Sequence, residues 1–228
     1  MRDGRDIALL LDFNGVIVDD EEQHRATLES VLAEHGISLT RDQYYADYLG
    51  WNDRMSFAIA FRQAGRQIAP EGLEGLVAEK SRRYGKLIER SLTLVPGVRE
   101  FIEQAAAQFR LGIVSGALRH EIEHVLVNAG LRRHFEVIVG GDQVAMSKPD
   151  PEGYLAAHAE LARRRLLVPA ACVAIEDSLP GLAAARAAGM RCVMLATSLA
   201  PQSLAGADAV WRSFEGHDPA ELVPEPRP

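Results

Sequence analysis

The chain has 228 residues, 47% of them apolar and 25% charged, with 25 basic against 32 acidic side chains and a formal charge of −7. That length fits one large α/β domain or a core with a modest insertion, and the balance excludes a disordered or low-complexity protein. A net acidic surface lacks the electrostatic footprint of nucleic-acid or anionic-membrane binding, although one local lysine or cation can overturn that sign for a small anion. Near the N-terminus the longest apolar run, Ile7–Leu11, is too short to span a membrane, and Arg2 and Arg5 lead into no signal-peptide core. The expectation is a cytoplasmic protein that binds neither nucleic acid nor membrane; a monomer is favoured, although the sequence does not fix the oligomeric state.

In chain order, Ile7–Leu11 has the length and unbroken hydrophobicity of a buried parallel strand, and it ends at Asp12. From about Asp19 to Leu92 there is no strand signal, only helical spacing. Leu28, Val31 and Leu32 share a face before Gly36; Phe57, Ala58 and Phe61 make another; Leu73, Leu76, Val77, Tyr84, Leu87 and Ile88 make a third. This predicts a helical bundle over residues 19–92 inserted into a core made of 1–18 and 93–228, with crossings at Val16–Asp20 and Ser91–Pro96.

Strand and helix signals then alternate. Val98, Phe101, Ile102 and Ala105 keep helical spacing ahead of a strand at Leu111–Val114. Ile122, Val125, Leu126 and Ala129 follow, with Gly130 as a C-terminal stop, before Val137–Val139. Arg163-Arg164-Arg165 reads as a solvated helix end. Cys172–Ile175, an alanine-rich helix from Pro180 to Ala188 closed by Gly189, and Cys192–Leu195 complete the pattern. Both cysteines open apolar runs and are expected as reduced core residues. Such alternation predicts a doubly wound α/β sheet with right-handed crossovers, and Val223–Pro228 is expected to fray.

In an open α/β sheet the ligand site lies beyond the carboxyl ends of the strands. Asp12-Phe13-Asn14-Gly15 follows the first run, Ser115-Gly116 the second, and Glu176-Asp177-Ser178 the fourth; Lys148 lies in a Ser-Lys-Pro-Asp-Pro loop after the third. Any one of these fits a cap or turn. Carboxylates, a hydroxyl, an amide and an amine delivered from four segments to one edge fit a reaction site better.

The segments LLLDFNGVIVDDE, IVSGA, SKPDPEGY and AIEDSLPGLAAARAAGM resemble, in order and spacing, the four motifs of the haloacid dehalogenase superfamily, in its phosphoglycolate phosphatase and β-phosphoglucomutase-like branch. The resemblance implies a Rossmann-like core with a helical cap and a phosphatase acting on a small phosphorylated metabolite. It implies Asp12 as the nucleophile that forms an aspartyl-phosphate, and Mg²⁺ held by Asp12, the backbone carbonyl of Asn14 and Asp177, with Glu176 either a ligand or a support behind the ligands. Ser115, with backbone N–H groups around Gly116 and Ala117, would hold the transferring phosphoryl group, and Lys148 would neutralise nucleophile and phosphate together. Dehalogenase relatives use the same aspartate without metal. The adjacent Glu176-Asp177 pair argues against that chemistry, because carboxylates crowded beside a nucleophilic Asp call for a cation.

Asn14 departs from the pattern, since the family's acid–base residue, two after the nucleophile, is usually Asp. An amide moves no proton, and acid–base help is worth about 10²–10⁴-fold in rate. A slow phosphatase, one that prefers good leaving groups, and a binder that no longer turns over all remain open, as does a sugar-phosphate mutase. In the insertion, Gly50-Trp51-Asn52-Asp53-Arg54 falls where the branch places a specificity loop, with Arg54 set to clamp a second anion and Trp51 to pack on a sugar or wall off water; an ordinary interhelical loop with Trp51 buried against the bundle fits the stretch equally. His24 and Arg119 are further substrate-binding candidates; Arg119 equally suits a solvated first helical turn.

Overall fold

The computed structural model describes residues 7–163 and 166–223. Arg2, Arg5, Arg164, Arg165 and the tail beyond Val223 lie outside the described residues. Six strands form one parallel sheet: β1 (Ala8–Leu11), β2 (Arg110–Val114), β3 (Val137–Val139), β4 (Cys172–Glu176), β5 (Arg191–Leu195) and β6 (Ala209–Trp211). Their order is β3-β2-β1-β4-β5-β6, so the chain reverses direction across the sheet at β1 and β4. Leu11 pairs with both Ile113 and Ile175. This register brings Asp12, Ser115 and the Glu176-Asp177 pair to the same edge, at the switch point where such sheets bind ligands.

The strands are hydrophobic throughout because both faces are covered. Leu9, Leu11, Leu111 and Ile113 pack with Val98, Phe101 and Ile102 of α5 (Val98–Gln108) and with Ile122, Val125 and Leu126 of α6 (Arg119–Asn128). On the opposite face Ala8, Leu10 and Ala174 meet α7 (Glu152–Ala162) and α8 (Leu179–Ala187). Cys172 and Cys192 belong to that second face as free, fully buried thiols. The alanines of α8 let it lie close to the sheet, and Ser178 caps it by accepting from the Gly181 N–H at 3.2 Å.

Between β1 and α5 the chain forms α1 (Glu21–Glu34), α2 (Arg41–Asp47), α3 (Asp53–Gln63) and α4 (Pro70–Ser91). Leu28, Val31, Leu32, Phe57, Phe61, Leu76 and Val77 share an apolar cluster of their own. The chain enters and leaves this bundle through two adjacent segments that bond to each other: the Asp19 N–H donates to Thr93 O (2.9 Å) and the Val95 N–H to Ile17 O (3.1 Å).

Two details differ from the periodicity reading. Ala58 is only half buried while Ile59 and Ala60 face the bundle, and Leu87 is exposed. The reason for the second is length. At 22 residues, α4 runs past the bundle, so Tyr84 and Ile88 turn to the core cluster under the sheet and Leu87 faces solvent. The sequence also left α2 and β6 unread. Each is short, and β6 is an edge strand of three residues with Val210 exposed.

Candidate active site

Asp12 leaves β1 with its N–H donating to Ile175 O (2.9 Å), and its Oδ1 accepts from the Phe13 N–H (2.7 Å). Its Oδ2 lies 3.0 Å from the Lys148 ammonium, which also sits 2.5 Å from Glu176 Oε1. Glu176 has no exposed surface, and it accepts from the Tyr154 hydroxyl (2.6 Å) and Ser178 Oγ (3.3 Å). Burial would lower the lysine, but the Asp12 and Glu176 carboxylates more than reverse that and keep Lys148 charged.

Burial, followed by the neighbouring Asp12, pushes Glu176 up to about 7. The same two causes raise Asp177 well above the ordinary carboxylate range, although the Ser198 hydroxyl donates to it. Asp12, Glu176 and Asp177 each place a carboxylate oxygen within 4.8 Å of the others, and all three are buried. One lysine against three carboxylates leaves unbalanced negative charge. An all-oxygen set of this kind suits a hard divalent cation. Two glycines let the cluster close up. Gly15 has φ 70°, and a Cβ there would overlap the Asp177 carboxylate; a Cβ at Gly181 would overlap Glu176.

From β2, the Ser115 N–H donates to Val139 O (3.0 Å), and its Oγ accepts from the Ala117 N–H (3.2 Å), which leaves the hydroxyl hydrogen free to donate outward. Asn14 is held from behind. Its Nδ2 donates to Asp20 Oδ2 (2.9 Å) and lies 2.9 Å from His24 Nε2. Asp20 is 1% exposed and also accepts from the Tyr84 hydroxyl. An amide at position 14 therefore gives a buried carboxylate a donor, where a second carboxylate would face it with like charge. The Lys80 ammonium donates to His24 Nδ1 (2.7 Å) and pairs with Asp53 at 2.6 Å.

These groups surround a cavity of about 60 Å³ between the sheet edge and the helical insert. The insert closes over it through the Gly50–Asn52 loop. A Cβ at Gly116 would stand 3.3 Å from Asn52 Cβ, and one at Gly50 2.9 Å from Ser178 Cβ. Asn52 begins α3 by accepting the Met55 N–H at 2.9 Å. Of the residues singled out in the sequence, Asp12, Asn14, His24, Trp51, Ser115, Gly116, Ala117, Lys148 and Asp177 line this cavity, and Glu176 lies directly behind Lys148.

Arg54 and Arg119 do not line it. Arg54 is one position around α3 from Asp53, which turns it away from the cavity to pair with Glu74 on α4. Arg119 sits in the first turn of α6, half exposed, donating to Ile138 O (2.6 Å) and pairing with Glu123 (3.2 Å). Sequence reasoning placed Asp20 and Glu21 in the first motif and Asp53 in the specificity loop without giving any of them a role, and it missed Lys80. The legible signal was Lys80, which occupies an apolar position of α4 in step with Leu73, Leu76, Val77 and Tyr84 yet is a lysine, and it is 2% exposed. A charge at such a position needs buried partners.

The sequence model for haloacid dehalogenase-like hydrolases matches residues 9–195. Protein CbbY from Rhodobacter capsulatus is 36% identical over 201 residues, covering 82% of this chain and 84% of that protein. Hexitol phosphatase B from Escherichia coli K12 is 31% identical over 191 residues, covering 83% of each. Crystal structures of CbbY from Rhodobacter sphaeroides, one with phosphate and one of a mutant with xylulose-(1,5)bisphosphate, superpose with a TM-score of 0.80 at 31% identity, over 91% of this chain and 94% of theirs. With the motifs assembled at one sheet edge beneath a helical insert, the chain belongs to the haloacid dehalogenase-like hydrolase family.

Proposed function

We propose that the chain is a Mg²⁺-dependent phosphatase that hydrolyses a phosphorylated sugar-type metabolite through an aspartyl-phosphate on Asp12. The observation that carries this reading is the placement of Asp12, pinned by the Phe13 N–H on one oxygen and faced by Lys148 on the other, in the lining of a cavity that Ser115 also lines. An Asp12 oxygen would attack phosphorus and displace the alcohol, and water would then hydrolyse the acyl phosphate. Ser115 and the Gly116 N–H would hold the phosphoryl oxygens, while Lys148 balances charge that grows as the P–O bonds reorganise.

Asp12, Asp177 and the Asn14 carbonyl would hold Mg²⁺, which supplies the positive charge that lets a carboxylate approach a phosphate. Glu176, with both oxygens already occupied, serves to anchor Lys148. Names of relatives support the substrate class: hexitol phosphatase on one side, and on the other a CbbY bound to a sugar bisphosphate.

The enclosed volume fits a phosphoryl group and little else, well short of the ~300–1,000 Å³ of small-molecule clefts. In this reading residues 19–92 form a cap that opens about Val16–Asp20 and Ser91–Pro96 to admit substrate and closes to exclude water. With Asn14 unable to protonate the leaving alcohol, the enzyme favours esters with good leaving groups. Phosphate release across sugar, polyol and aryl phosphates, with Mg²⁺ and with chelator, tests the proposal. Release that requires Mg²⁺ and vanishes in Asp12→Ala is expected. Full release in chelator, or none with any ester, would overturn it.

A further inference from the structure

The cavity has two unlike halves. The sheet half offers Ser115 and Lys148 to one phosphoryl group. The half built by the helical insert presents Glu21 from α1, Asp53 from α3 and Lys80 from α4, beside the rings of Tyr44 and Trp51. Among the described residues no arginine lines the cavity; Lys148 serves the sheet half, and Lys80 is the one lysine of the insert half. Lys148 is held by Asp12 and Glu176 (3.0 and 2.5 Å), and Lys80 by Asp53 at 2.6 Å and by His24, to which it donates at 2.7 Å.

The Lys80–Asp53 pair is also oriented. The lysine side chain is 2% exposed and the aspartate 20%, so the carboxylate is the partner presented outward. A second phosphate placed against this wall would meet the outward Asp53 carboxylate and Glu21, with Lys80 held by Asp53 and the two His24 ring nitrogens turned to Lys80 and Asn14, and like charges brought together out of water strongly oppose binding. Hydroxyl groups meet the opposite situation. Carboxylate oxygens accept from them, the Ser56 hydroxyl on the same wall can donate or accept, and the Trp51 and Tyr44 rings can cover C–H surface.

We propose that the insert selects phosphate monoesters whose remainder is an uncharged polyol and excludes a second phosphate, with Asp53 as the determining residue. This rests on the phosphatase reading for its catalytic arm, and on binding alone for its second arm.

The test compares a hexitol monophosphate with the matching hexitol bisphosphate at constant free Mg²⁺. In the wild-type chain kcat/KM favours the monophosphate by about 10²-fold or more, and calorimetry on Asp12→Asn gives a preference of the same sign in Kd. Asp53→Asn keeps the side-chain shape but releases Lys80, and it lowers the monophosphate preference about tenfold or more. Glu21→Gln keeps an acceptor for the Tyr44 hydroxyl and shifts the ratio the same way by a smaller factor; it carries the test if Asp53→Asn does not fold.

A wild-type chain that turns over or binds the bisphosphate as well as the monophosphate overturns the inference. So does a preference unmoved by folded Asp53→Asn. If no ester is hydrolysed at all, the phosphatase reading fails while the calorimetric preference still decides the selectivity.

Discussion

Asn14 carries the most informative chemistry at the scale of single residues. Its amide binds Asp20 at 2.9 Å and contacts His24 at 2.9 Å, so it is locked in place with no proton to give. Asn14→Asp would put at this position a carboxyl group, which unlike the amide can pass a proton to a leaving group. Turnover of alkyl phosphates should rise about 10²-fold, and that of aryl phosphates, whose leaving groups need little protonation, much less. Steady-state rates on a matched alkyl and aryl pair check this; an unchanged ratio would mean that proton supply does not limit the wild-type chain.

The crowded carboxylates make a second residue-level prediction, this time about stability. Glu176 rises from 4.5 to about 7 on folding, and Asp177 moves in the same direction, with burial the largest cause in both. The folded state therefore binds more protons than the unfolded state across that range, and its contribution to stability is present below the unfolded value and lost as pH rises through the folded one. Metal-free protein should melt at progressively lower temperature as pH climbs from about 5 to 8. Added Mg²⁺ should restore the loss at the upper end, because binding there competes with no proton. Asp177→Asn removes one charge from the cluster. It should raise the metal-free Tm by about 2–4 °C and abolish the Mg²⁺ increment. Thermal melts with Mg²⁺ and with chelator across pH check both. A Tm that rises with pH without metal would contradict the charge crowding.

At the scale of elements, the proposed opening of the site would turn on the crossing segments and on the loop that closes on the sheet. Gly50 has φ 83°, a region other residues rarely adopt, and it sits against Ser178 and Pro180 of the α8 entrance. Gly50→Val should strain the loop and hold the insert away from the sheet edge. KM should rise about tenfold while the core melts nearly unchanged. Progress curves and a melt of the same variant check it, and an unaltered KM would show that the loop does not report on closure.

The legibility of elements follows their length and their surroundings. β1, β2, β4 and β5 are four- or five-residue strands buried on both faces, so they appear as unbroken apolar runs. α2 is seven residues long and announces itself only through the Thr40–Gln43 capping box. The site divides similarly. Asp12, Ser115 and Asp177 stand at strand ends and Lys148 in the loop between β3 and α7, all in recognisable motifs, whereas Asp20, Asp53 and Lys80 come together only through packing between α1, α3 and α4. Arg54 illustrates the limit from the other side. One helical position, about 100° of rotation, separates it from Asp53 and from the cavity, and sequence spacing in an irregular loop does not fix where the helix begins.

At the scale of the whole molecule, a parallel sheet gathers four polar loops at its switch point and an inserted bundle supplies the opposite wall. In the proposed function the nucleophile and the phosphoryl contacts would come from the sheet, and selectivity from the helices. The central claim is that Asp12 becomes covalently phosphorylated during turnover. Rapid acid quench of the Mg²⁺-loaded enzyme with a reactive aryl phosphate, followed by mass spectrometry of the peptide that contains Asp12, tests it most directly. The account predicts a phosphoryl group on Asp12 that appears within the first turnover and decays as phosphate is released. Phosphate released at the wild-type rate with no phosphoryl group ever found on Asp12 would contradict it.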